Sequence, residues 1–108
     1  NLKIMKYLYF ETDGDGSSGV CIPASSVVGL EVHTNNTTVE IFFNDLGAAN
    51  ANDGSVVLAV TAGKTKEAAE DIAKAIYQGA ETFVVIADDQ NSEYASSHIA
   101  NCGTITLA

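Results

Sequence analysis

Residues 55–88 read SVVLAVTAGKTKEAAEDIAKAIYQGAETFVVIAD, and this stretch decides the fold class. Its middle, TKEAAEDIAKAIYQ at 65–78, predicts a helix. Ala69, Ile72, Ala73 and Ile76 recur at i, i+3, i+4 and i+7, which lays an apolar stripe along one side. Thr65 stands where a side-chain cap would start the helix. Glu67, Glu70 and Asp71 follow early, where the positive end of the helix dipole favours carboxylates. Glu70 and Lys74 form an i,i+4 pair. Gly79 then ends the helix, because glycine tolerates the left-handed backbone that a helix end needs. On either side, 55–61 and 82–88 are apolar on both faces and read as buried strands.

Moving outward, KIMKYLYFE (3–11) reads as a strand that is central or covered by a partner. Ile4, Leu8 and Phe10 share one face with Lys6 among them, and Met5, Tyr7 and Tyr9 share the other. TDGDGSSG (12–19) is a loop rich in turn formers. The short VCIP that follows contains Pro23, which removes a ladder donor and marks an edge or a strand end. VVGLEVHT (27–34) alternates, with Val28, Leu30 and Val32 on one face and Gly29, Glu31 and His33 on the other. TVEIFF (38–43) alternates too, with Val39, Ile41 and Phe43 inward; the Asn35–Asn36 turn joins the two into a hairpin. Residues 44–54 and DDQNSEYASS (88–97) read as loops, and HIANCGTITL (98–107) as a last strand that Gly103 bulges. With one helix between strands, a doubly wound sheet is excluded. The expected fold is α+β: mainly antiparallel sheet, or a small sandwich, with one covering helix over about 65–78, in a single domain over 1–108. Asn1–Ile4 reads as an extension before Met5, or as a start from which a leading Met is omitted.

Composition narrows the function classes. Five Lys and no Arg face fourteen Asp and Glu, a net charge of −9. A nucleic-acid binder needs cations to displace the counterions of phosphates, and an anionic membrane surface needs the same, so neither partner is expected. No secretory leader is expected, and the sequence has no apolar run near the roughly 18 residues that span a bilayer. Ala, Gly, Ser and Thr make up 41 of the 108 residues and Trp is absent, so the core rests on Val, Ile, Leu and Phe. Small side chains bury little area each, and a light core of this kind gains from partner contacts. Cys21 and Cys102 lack any metal or redox spacing and read as buried free thiols.

Several segments approach a chemical motif and miss it. TAGKTKE (61–67) resembles the end of a phosphate loop, but the glycine required five residues before Gly63 is Leu58. DGDG (13–16) suggests a calcium loop, yet counting from Asp13 the fifth, sixth and twelfth positions are Ser17, Ser18 and Ala24. Asp88 and Asp89 end a strand, where acids mark sites in parallel α/β sheets; here they read as a solvated loop. His98 follows Ser96 and Ser97 with no shaped nucleophile turn, and His33 and His98 have no zinc spacing. Asn35 and Asn36 fit a glycosylation acceptor pattern by chance. The expectation is therefore no catalytic residue, no metal ligand and no cofactor. A cation held by Asp13, Asp15, Asp88 or Asp89 is the enzymatic rival.

The run KYLYFET, VCIPASSVVGLEV, TTVEIFFND and SVVLAVTAGKTKEAAEDIAKAI resembles small virion proteins of marine tailed phages, particularly those infecting cyanobacteria. The likeness covers most of residues 5–88 and rests on the order of its segments. It implies a non-catalytic structural role in the virion, as head decoration, neck or tail component, with the host cytoplasm as the place of assembly. The expected partners are other copies, with a trimer the first form considered, and other virion proteins. Tyr7, Tyr9 and Phe42 are the candidate contact residues, since aromatic anchors dominate interfaces. The alternative is a small acidic cytoplasmic module that regulates a basic host protein.

Overall fold

The computed structural model describes residues 5–12, 19–33, 37–44 and 54–106. The DGDG segment, the Asn35–Asn36 turn and Asn1–Ile4 lie outside the described residues. In chain order the elements are β1 (Tyr7–Glu11), β2 (Gly19–Pro23), a 3-10 turn (Ala24–Ser26), β3 (Val27–His33), β4 (Thr38–Phe43), β5 (Gly54–Val60), α1 (Thr65–Tyr77), β6 (Phe83–Asp88), β7 (Glu93–Tyr94) and β8 (Ile99–Thr106). They build an α+β domain of two four-stranded sheets, β2-β1-β6-β7 and β3-β4-β5-β8, with a single helix among the described residues.

Alternation explains the inner lining. Leu8 and Phe10 of β1, Val39, Ile41 and Phe43 of β4, and Val56, Leu58 and Val60 of β5 all point into one core with Ile72 and Ile76 of the helix. Phe10 of the first sheet meets Phe43 of the second edge to face, ring centroids 5.9 Å apart. The helix touches β3 and β4 of the second sheet and β6 of the first. The 3-10 turn carries the chain from one sheet to the other, tied by Ala24 N–H to Lys6 O and by Asn44 N–H to Ser26 O. β1 is a central strand, as its two apolar faces predict.

In its elements and their pairing the structure departs from expectation in five places, each with a physical reason. β1 and β6 run parallel: between them the chain adds β2 to the first sheet, builds β3, β4 and β5 of the second, and returns through the crossover helix. Part of the expected 88–97 loop pairs with β6 as the short β7. The β3–β4 register slips between Val27 and Gly29, so Val28 is bulged outward and 59% exposed instead of facing in with Leu30 and Val32. The buried row of α1 is Thr65, Ala68, Ile72 and Ile76; Ala69 and Ala73 flank it, half-buried. Thr65 is therefore the first helical residue, tucked into the core, and the capping position falls on Lys64, whose side chain makes no capping bond.

The other helix end matches its prediction, with Gly79 at φ 84°. Its last carbonyls gain an unforeseen partner. Lys6, the charged residue among apolar neighbours in the first strand, donates from Nζ to the carbonyl oxygens of Ala75 (3.3 Å), Ile76 (3.0 Å) and Gln78 (2.8 Å). A cation at the negative end of the dipole both neutralises it and satisfies orphan acceptors.

Candidate interaction face

Side chains that leave the core on one side of a strand must emerge on the other. On the first sheet the outer positions form two uncharged rows. In one, Tyr7 lies between Pro23 and Phe83; in the next, Tyr9 lies between Cys21 and Val85. Met5 precedes Tyr7 in the same alternation. Met5 is 49% exposed, Tyr7 36% and Phe83 53%. Tyr9 is half-buried: its ring tilts against Phe83 at 5.4 Å, and its hydroxyl passes over Gly19 and donates to the Glu11 carboxylate. That bond to an anion holds the phenol proton, pushing the Tyr9 pKa up to about 12. Glu11 is the first charged residue met along these rows. The face is thus an aromatic and aliphatic strip on two central strands.

Phe42 does not join it. It lies on the outer face of the second sheet, half-buried between Gly29 and Ser55, so the three aromatics proposed from sequence fall on two different faces. Cys21 is exposed, not buried as expected; Cys102 is buried, and both are free thiols.

Asp88 and Asp89 also correct the sequence reading. Asp88 is 4% exposed and organises the β6–β7 turn, accepting from the backbone N–H of Gln90 (3.0 Å) and Asn91 (3.2 Å) and from Asn91 Nδ2 (2.9 Å). Asp89 is half-buried at the seam of the two sheets, taking the Tyr94 hydroxyl at 2.6 Å and the Cys102 N–H of β8 at 3.0 Å. Burial first, then the Asp89 charge, pushes the Cys102 thiol up to about 12. Burial and the bond to Asp89 do the same for Tyr94, also to about 12. These two acids are spent on turn and seam, with their lone pairs directed at named donors.

Ser96, Asp71 and His98 come together without forming a nucleophile–base pair. Ser96 Oγ donates to Asp71 Oδ2 (2.7 Å) and accepts the backbone N–H of His98 (3.1 Å), so the hydroxyl ties helix to loop and the imidazole takes no part. A hydrolytic triad needs the imidazole on the hydroxyl.

The outer face of the second sheet carries one grouping that the sequence reading did not assemble. Glu31 and His33 share a face of β3, and Glu40 of β4 sits directly opposite Glu31. One ligand atom from each lies within 4.8 Å of the others, and His33 Nε2 is 3.8 Å from Glu31 Oε1. The alternation of 27–34 had already put Glu31 and His33 side by side; what it lacked was the hairpin register that brings in Glu40.

No family model, no curated protein and no solved structure matches this chain.

Proposed function

We propose that the protein is a non-catalytic structural subunit that works by assembling with copies of itself, through the outer face of the first sheet. The observation that carries this reading is the strip of Met5, Tyr7 and Phe83, large side chains standing in water just before and at the start of the central strands β1 and β6. Exposed apolar surface of this kind is typical of interaction sites. The occupant is a second copy: with −9 on each chain, copies repel, and they can meet at least cost where the surface is uncharged, as along these two rows. A face that pairs with itself or with a symmetry mate closes a small oligomer. In the setting implied by the resemblance to virion proteins of marine tailed phages, the oligomer is attached to a phage particle as head decoration, neck or tail component.

Light scattering on the purified protein at micromolar concentration tests the assembly. The expected mass is a small multiple of 11.2 kDa, falling to the single-chain value in Tyr7→Lys and Phe83→Lys. A wild-type protein that is strictly monomeric overturns the reading. Mass spectrometry of purified particles tests the setting; a soluble one-to-one complex with a basic host protein, and no particle association, would favour the regulatory alternative.

A further inference from the structure

We propose that Glu31, His33 and Glu40 form a binding site for a divalent transition metal of the zinc class on the outer face of the second sheet. The donor set is one imidazole and two carboxylates, a combination that suits borderline metals such as zinc. In a tetrahedral site with bonds near 2.05 Å, neighbouring ligand atoms lie about 3.3 Å apart. The present spacing is within 4.8 Å, and His33 Nε2 and Glu31 Oε1 are already at 3.8 Å. The strands supply the rigidity: Glu31 and His33 are fixed by alternation on β3, and Glu40 by the Glu31↔Glu40 register.

A second observation points to a cation. Two carboxylates directly opposite each other across a strand pair repel. Neither has a Lys or Arg partner among the described residues, and Glu40, although half-buried, makes no hydrogen bond or ion pair there. The neighbouring positions in these rows are Thr38, Ala59 and Val57, none of which carries a charge. A dication between Glu31 and Glu40 turns the repulsion into two attractions, and neutral His33 Nε2 supplies a third bond. The fourth position faces water, because β3 is an edge strand and the face is open. Bound there, the metal would staple the edge strand to its neighbour. This site lies on the other sheet from the assembly face and does not depend on it.

The test is calorimetric titration of the full, chelator-treated chain with zinc chloride, paired with thermal unfolding with and without zinc. One ion per chain and a rise in unfolding temperature are expected. His33→Ala and Glu40→Gln should each weaken binding by more than the roughly 10–100-fold typical of losing an outer-shell partner. Glu40→Gln should leave the metal-free protein at least as stable as wild type, since it removes the repulsion, while abolishing the zinc-dependent rise. Glu70→Gln, which removes one exposed carboxylate from the helix, should change neither. No heat with zinc, or equal heat in wild type, His33→Ala and Glu40→Gln, overturns the site and leaves only diffuse attraction to an acidic surface.

Discussion

The two sheets are alike on the inside and opposite on the outside. Leu8 and Phe10 line the first as Val39, Ile41 and Phe43 line the second, and both linings enter one core. Outside, the first sheet shows Tyr7, Phe83 and Met5, whereas the second shows a row His33–Thr38–Ala59–Asn101 and a row with Glu31, Glu40 and Val57. Those two rows are small, polar or charged apart from the half-buried Val57; beside them Phe42 is half-buried too, and Val28 at the β3 bulge is the exposed apolar exception. An aromatic strip is not content in water, and the fold does not need it exposed, since the core is complete without it. The comparison separates what the chain spends on folding from what it presents to others.

That separation can be broken experimentally, and the largest effect should come from the joint between the sheets. Phe10→Ala or Phe43→Ala empties one side of the edge-to-face pair and should cost about 3–5 kcal/mol in urea unfolding. A loss well under ~1 kcal/mol would mean that the sheets do not share one core. Next come two glycines, one per sheet. A Cβ on Gly103 would sit 2.7 Å from the Val57 carbonyl oxygen, backbone that cannot step aside, so Gly103→Ala should cost about 1–3 kcal/mol. On Gly19 the nearest atom is the Tyr9 hydroxyl at 3.2 Å, the end of a side chain that can give way. Gly19→Ala should therefore stay within about 0.5 kcal/mol. Equal losses at the two sites would deny that the second sheet is the more tightly constrained at this crossing. Lys6→Met keeps the apolar stem but removes three bonds to helix carbonyls, and should cost about 1–2 kcal/mol.

A separate effect is expected at alkaline pH, at the seam. Cys102 keeps its proton to about 12 in the folded chain against 9.0 for an ordinary thiol, and Tyr94 to about 12 against 10.0. The unfolded chain loses these protons first, so it binds fewer than the native state and stability falls as pH rises. The loss should begin near pH 9 and continue towards 12, seen as a falling urea midpoint. In Cys102→Ala the fall should start later, near the tyrosine range; an unchanged profile would remove the thiol from the seam's titration.

Much of this architecture was legible in local pattern, and the misses share a cause. The helix, the β3–β4 hairpin and the central place of β1 followed from periodicity alone, because burial on one side imposes it. Val28 was misread because a bulge breaks the alternation that a strand reading assumes. Lys6 looked like an intruder in an apolar face until the helix end, far along the chain, supplied its acceptors. Asp88 and Asp89 looked solvated because their donors, Asn91, Tyr94 and Cys102, reach them only once β7 and β8 have paired. Likewise Glu31 and His33 were visible as neighbours, while Glu40 needed the register. Local signals carry the elements; long-range pairings carry the sites.

The partner of β5 also sets a hazard during translation. β5 is flanked by β4, made just before it, and by β8, made after the helix and the last two strands of the first sheet. A nascent chain on the ribosome therefore holds GSVVLAV, uncharged and rich in β-branched residues, with one ladder edge open until β8 emerges. Open edges of that composition seed intermolecular pairing. A synthesis stalled before β8 would leave material prone to aggregate, whatever the stability of the finished molecule.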